Sequence, residues 1–248
     1  MTLDGTRLGA YATLCYFSVS RLGAWRDSLL RDELARQIHA VGISALPVVL
    51  ALAAITGATT VTQAGALVGQ DSDLTQRLLV FGLFFELAPL FTALVIVARS
   101  SATIASELAV MRVHDEYRAL RRMGVPVAEY LLLPRVVAMA VALAVTTALF
   151  QAVAIFSGWV AAALLLDAPL FDIAARFFDF ASPGIGLLAL AKAACMGWLA
   201  GVVAVHHGTA GGRSTEGVSA AAMQAVGSGL VAVFLVDIAF ALLAYFFR

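Results

Sequence analysis

Five ionisable side chains stand inside stretches that are otherwise apolar: Glu86, Arg99, Glu107, Lys192 and Asp237. Each costs roughly 2.5–3.5 kcal/mol to place at the centre of a bilayer-crossing helix, so such groups face protein or a polar cavity. Two carboxylates and an ammonium can pair with one another, line a polar cavity or relay a proton. Counting about 1.5 Å per residue, Glu86 and Lys192 each lie on the order of 12 Å in from the outer face. Asp237 approaches that level from the opposite direction, so the three are expected to form one charge cluster. Pro89 follows Glu86 by three residues and loosens the helix there, which favours a cavity-facing role for Glu86. Lys192 with Asp237 reads first as a packing pair. Arg99 and Glu107 lie toward the inner end, where a long Arg side chain can snorkel to the interface.

Other chemistries find no support. The run Gly208-Thr-Ala-Gly-Gly-Arg-Ser-Thr215 has neither the Lys nor the glycine spacing of a phosphate-binding loop and reads as a flexible cytoplasmic turn. His206 and His207 are adjacent, so on a helix they point about 100° apart and chelate one metal poorly. No Cys/His metal spacing and no nucleophile–base constellation occurs elsewhere, so no metal site is expected. Cys15 and Cys195 read as two thiols rather than a disulfide. Nothing here hydrolyses ATP, so a pump built on this chain must take its energy from a partner. A formal net charge of zero argues against nucleic acid as that partner.

The elements that must position these residues are membrane helices. Mean hydropathy is +0.94 and only 13% of residues are charged, where soluble proteins carry about 25%. No Asp, Glu, Lys or Arg occurs between Gln37 and Gln70 or from Val136 to Leu166. Each run exceeds the roughly 20 residues needed to span a bilayer. The spacing predicts an all-α membrane protein of one domain, 1–248, with five spans at 41–66, 78–110, 132–166, 184–205 and 217–246. Asp71 and Asp73, and Asp167, Asp172 and Asp179, sit in the loops on one side, while Arg concentrates on the other. That asymmetry puts the amino terminus inside and the carboxyl terminus outside.

Two further segments stand out. Arg21, Arg26, Arg31 and Arg36 recur among Leu22, Trp25, Leu29, Leu30 and Leu34. That suits an interfacial amphipathic helix over 1–36 rather than a cleaved signal peptide. Between spans two and three, Val113, Tyr117, Leu120 and Gly124 fall at i, i+4, i+7 and i+11, with Arg118, Arg121 and Arg122 to the other side. The spacing predicts a short amphipathic helix over 112–124, stopped by Gly124 and Pro126. It serves equally well as a docking surface or as a helical loop on the positive side of the membrane.

The order of residues across spans two and three resembles the MlaE/YrbE family, the permease subunits of ABC transporters that work with MCE proteins. Glu86-Leu-Ala-Pro89, Thr92-Ala-Leu94, Ala98-Arg99, Ile104-Ala-Ser-Glu107 and Met111-Arg112 are similar to its second-span signature. Glu116, Ala119-Leu120, Met123-Gly124, Pro126, Tyr130-Leu131 and Pro134-Arg135 match its coupling segment and the start of its third span. Lys192, Gly217-Val218 and Asp237 extend the likeness more thinly. Phe85 stands where many members have Arg, Ile185 where many have an acid, and Ser219-Ala-Ala-Ala-Met223 lacks the usual threonines. Phe85 in place of Arg implies a less polar cavity.

The resemblance implies a homodimeric permease in the bacterial inner membrane, bound to two copies of an ATPase that uses ATP. Its cargo would be phospholipid or a related lipid, exchanged with an MCE-protein assembly. It implies a lipid path past Gln63, Phe85, Glu86, Pro89, Lys192 and Asp237. ATPase coupling would run through Arg112, Glu116, Tyr117, Leu120, Arg121 and Met123. Gly57 and Gly65, with Thr56, Thr59 and Thr60, would let span one approach a neighbour closely. Two rival readings are a proton-coupled secondary transporter using the charge cluster as a relay, and a membrane scaffold that transports nothing.

Overall fold

The computed structural model describes residues 11, 13–16, 28–68, 79–165, 183–211 and 214–246, and these are helical apart from short turns. Five helices among them are long and apolar enough to cross a membrane. Helix α1 (Ser28–Gly42) passes through a single 3-10 turn (Ile43–Ala45) into α2 (Leu46–Val68). The second span runs from a π-helical stretch, Leu79–Leu87, through α3 (Ala88–Ile96) and a second π-helical stretch, Val97–Ser101, to α4 (Ala102–Val113). After a turn comes α5 (Glu116–Arg122). A third π-helical stretch, Ala128–Leu132, leads into α6 (Leu133–Leu165), followed by α7 (Pro183–Ala210) and α8 (Thr215–Phe246).

Helix α6 is the hub, packed against α1, α2 and α7, while α8 packs on α7 and α4. Its hub position explains its apolar character all round, because a helix with neighbours on several sides shows no single polar face. Phe150, Leu143 and Met139 on α6 are fully buried with Ile96, Leu108 and Met196 from its neighbours. Small residues set how closely the helices approach. A Cβ at Gly57 would lie 2.1 Å from the Ala154 carbonyl oxygen, so α2 and α6 meet almost backbone to backbone. Gly65 lies where side chains are not described. Outward, α8 presents Val231, Phe234, Leu235, Ile238, Leu242 and Leu243, an apolar face suited to lipid or to a second copy of the chain.

Several boundaries differ from expectation. The first span does not begin afresh at 41: the helix is already formed at Ser28, and α1 packs along α6. Residues 1–10, 12 and 17–27, most of the expected interfacial helix, lie outside the described residues. The fourth span continues past 205 to Ala210, absorbing the start of the expected turn. The 112–124 segment is not one helix. Asp115 adopts a left-handed conformation (φ 55°), which ends α4 at Val113 and re-aims the chain into α5. The expected apolar stripe from Val113 to Gly124 is therefore divided between two helices. Gly124 (φ 77°) closes α5: the Val125 N–H donates to the Leu120 carbonyl and the Gly124 N–H to the Arg121 carbonyl. This is the Schellman pattern that favours glycine at that position.

Candidate functional site

Pro89 starts the assembly of the site. It has no N–H, so in a helix it leaves one carbonyl a turn earlier without a partner. In α-helical register that carbonyl is Phe85, and in π-helical register it is Phe84. Both are met by side chains from other spans: Lys192 Nζ donates to the Phe85 carbonyl at 3.3 Å, and Gln151 Nε2 to the Phe84 carbonyl at 3.1 Å. The opening that proline forces is thus what draws two polar side chains into an apolar bundle.

Lys192 is completely buried, and its ammonium also donates to Glu86 Oε2 at 2.7 Å. Asp237 Oδ1 lies 2.7 Å from the same nitrogen. That oxygen meets no donor along a hydrogen-bonding direction, so the contact is an ion pair rather than an aligned hydrogen bond. The Phe85 ring lies with its centroid 4.6 Å from the ammonium, within reach of a cation–π attraction. The expected cluster of Glu86, Lys192 and Asp237 is present, and it ties the second, fourth and fifth spans together. Glu86 is not the isolated carboxylate that an apolar helix suggests, because Lys192 compensates it. The cation is enclosed while the carboxylates are not: the Glu86 side chain is 38% exposed and that of Asp237 20%. Gln63, by contrast, is exposed, and its side chain makes no hydrogen bond among the described residues.

A second ion pair was not anticipated. Arg135, only 3% exposed, donates to Glu107 Oε2 at 3.0 Å and to the Leu131 carbonyl. It joins α4 to the start of α6. The sequence signal was there, since Arg135 is the last charge before a long uncharged run and falls at the start of the third span, but nothing in the chain named its partner. Arg99 donates to the Ser44 carbonyl, bracing the 3-10 turn between α1 and α2.

The α4–α5 region has two faces. Glu116 and Met123 are exposed, whereas Tyr117 and Leu120 are half-buried against the permease core. Arg112 donates to the Thr209 carbonyl and the Tyr117 hydroxyl to the Leu108 carbonyl, so both are anchored to the bundle. Burial pushes the Tyr117 hydroxyl up to about 12, with Arg135 and Arg112 drawing it partly back. Near the same end of α7, the Tyr11 hydroxyl lies 3.2 Å from His207 Nε2, and its ring packs 4.4 Å from that of His206. Among the described residues no group of His, Cys, Asp and Glu has the arrangement of a metal site.

Comparison with known proteins accounts for this architecture. The family model described as Permease MlaE matches residues 34–243. A probable ABC transporter permease protein of Rickettsia felis is 25% identical over 221 residues, covering 88% of this chain and 85% of that protein. A probable ABC transporter permease of Synechocystis sp. is 28% identical over 155 residues, 60% of this chain and 57% of that protein. The protein Trigalactosyldiacylglycerol 1, chloroplastic, of Arabidopsis thaliana is 30% identical over 170 residues, 66% of this chain and 46% of that protein. Five membrane-crossing helices, charge pairs buried among them and a family match over most of the chain have one reading: the chain belongs to the MlaE permease family and is a multi-pass transmembrane permease.

Proposed function

We propose that this permease is the membrane subunit of an ABC transporter that moves phospholipid or a related lipid between the bacterial inner membrane and an MCE-protein assembly outside it. A separate ATPase supplies the energy, and two copies of the chain form the working unit with its amino termini in the cytoplasm. The observation that carries the reading is the half-open Glu86–Lys192–Asp237 cluster within an apolar bundle of this family. An amphiphile needs both environments, a polar point for its headgroup and apolar helix faces for its chains. Relatives named as ABC transporter permeases support the ATPase, and a relative named for a galactolipid supports the cargo.

In mechanism, closure of the paired ATPases would push on α5, the short helix that projects Glu116 and Met123. Because Arg112 and Tyr117 anchor that segment to α7 and α4, the push would reach the second and fourth spans together. Lys192 joins those same spans, so their relative movement would open or close the cluster to a headgroup.

Reconstitution tests the proposal. Proteoliposomes holding the permease and its ATPase should transfer labelled phospholipid to an MCE acceptor only with ATP, and Glu86→Ala should remove most of that transfer. ATP-independent transfer that collapses with the proton gradient would instead establish the secondary-transporter reading.

A further inference from the structure

A second polar chamber lies at the far end of the bundle from the charge cluster. A cavity of about 440 Å³ opens where α4, α5, the segment leading into α6 and the end of α7 meet. Among the described residues Arg112, Arg118 and Arg121 line it together with one carboxylate, Asp115, so three guanidinium groups face one acid there. Arg112 is fixed there by its bond to the Thr209 carbonyl. Arg118 and Arg121 form no salt bridge among the described residues. Val127 and Leu132 supply aliphatic wall to the same cavity. Thr209 is in the last turn of a membrane-crossing helix and Leu132 at the start of another, so the cavity sits where hydrocarbon gives way to headgroups.

We propose that this cavity binds the phosphate headgroup of an anionic phospholipid. Guanidinium forks match phosphate oxygens in geometry and charge, and basic pockets between membrane helices are suited to such headgroups. Phosphate would lie between Arg118 and Arg121, with the lipid's apolar portion against Val127 and Leu132. This site is separate from Glu86, Lys192 and Asp237 and does not depend on what the permease carries. A headgroup seated there would brace α5 from beneath, leaving Glu116 and Met123 free on its outer side.

Full-length permease in nanodiscs of phosphatidylcholine, with and without a minority of phosphatidylglycerol, provides the test, read as lipid retained in native mass spectrometry. Wild type should retain phosphatidylglycerol preferentially. Arg118→Gln with Arg121→Gln should weaken retention on the order of tenfold or more, since each Arg near the surface contributes about 1 kcal/mol. Arg122→Gln, on the same helix but not among the residues that line the cavity, should have a clearly smaller effect than the double variant. Equal retention of both lipids by wild type would overturn the proposal. So would an Arg122→Gln effect as large as the double variant's, which would mean a diffuse basic surface. Inorganic phosphate that displaces phosphatidylglycerol at millimolar concentration would identify a free-anion site instead. A double variant that loses the ATPase on co-purification but keeps its lipid would assign the cavity to a protein partner.

Discussion

Lys192 and Asp237 approach to 2.7 Å across the fourth and fifth spans, with the lysine wholly enclosed and the aspartate partly open. A buried ammonium in such a contact is costly to unmask, because removing one partner leaves the others uncompensated in a low-dielectric interior. Lys192→Met should therefore destabilise the permease by about 3–5 kcal/mol, read as a fall in the thermal unfolding midpoint in detergent. The triple variant Glu86→Gln, Lys192→Met, Asp237→Asn should recover much of that loss. An unchanged midpoint in the single variant would show that the cluster carries no structural load.

Transport should separate from folding at Glu86, whose side chain is the most open of the three. Glu86→Ala is expected to insert and to bind the ATPase while lipid transfer falls at least tenfold, about 1.4 kcal/mol in barrier terms. A photocrosslinker at position 85 or 86 should capture lipid. Normal transfer with no adduct at either position would reduce the carboxylate to a packing residue.

Close approach of spans one and three rests on Gly57. An added methyl there meets the Ala154 carbonyl oxygen at 2.1 Å and Ser157 Oγ at 2.5 Å. Gly57→Ala should cost about 1–3 kcal/mol through overpacking. Gly82→Ala is the control, since none of the described residues lies within 4 Å of a Cβ at that glycine. Equal midpoints for the two variants would mean that α2 and α6 can separate freely.

ATPase docking should be most sensitive on the outward face of α5. Glu116→Lys and Met123→Asp alter exposed side chains, so each should leave insertion intact and release the ATPase during purification. Leu120→Asp is a less clean probe, because Leu120 also packs on the permease core. Full co-purification of the ATPase with both exposed-face variants would place docking elsewhere.

Tyr117 gives a pH signature. Burial favours its neutral form and raises its ionisation from 10.0 to about 12. The stabilisation is therefore complete below the unfolded value and is lost as pH rises through the folded one. The midpoint of wild type minus that of Tyr117→Phe should fall between pH 10 and 12. A difference that stays flat across that window would mean that Tyr117 is solvated when folded.

The membrane class, the five spans and the family were legible in the sequence because each rests on local pattern. Uncharged runs of spanning length need no tertiary information, and the signature from Glu86 to Arg135 is contiguous in the chain. The depth of Glu86, Lys192 and Asp237 was also countable, since helical rise is constant. Which groups touch was a different matter. Pro89 announces an unpaired carbonyl, but only packing brings Gln151 and Lys192, 67 and 107 residues away from the carbonyls they meet. Arg135 stood at the start of the third span with no visible partner, and only packing sets Glu107 beside it. The 112–124 segment reads as one amphipathic helix because periodicity cannot register a single left-handed residue, and Asp115 divides it into two helices. Pattern along the chain records hydrophobic free energy residue by residue. The partners of buried charges are set by the crossing of helices distant in sequence, which only the folded chain decides.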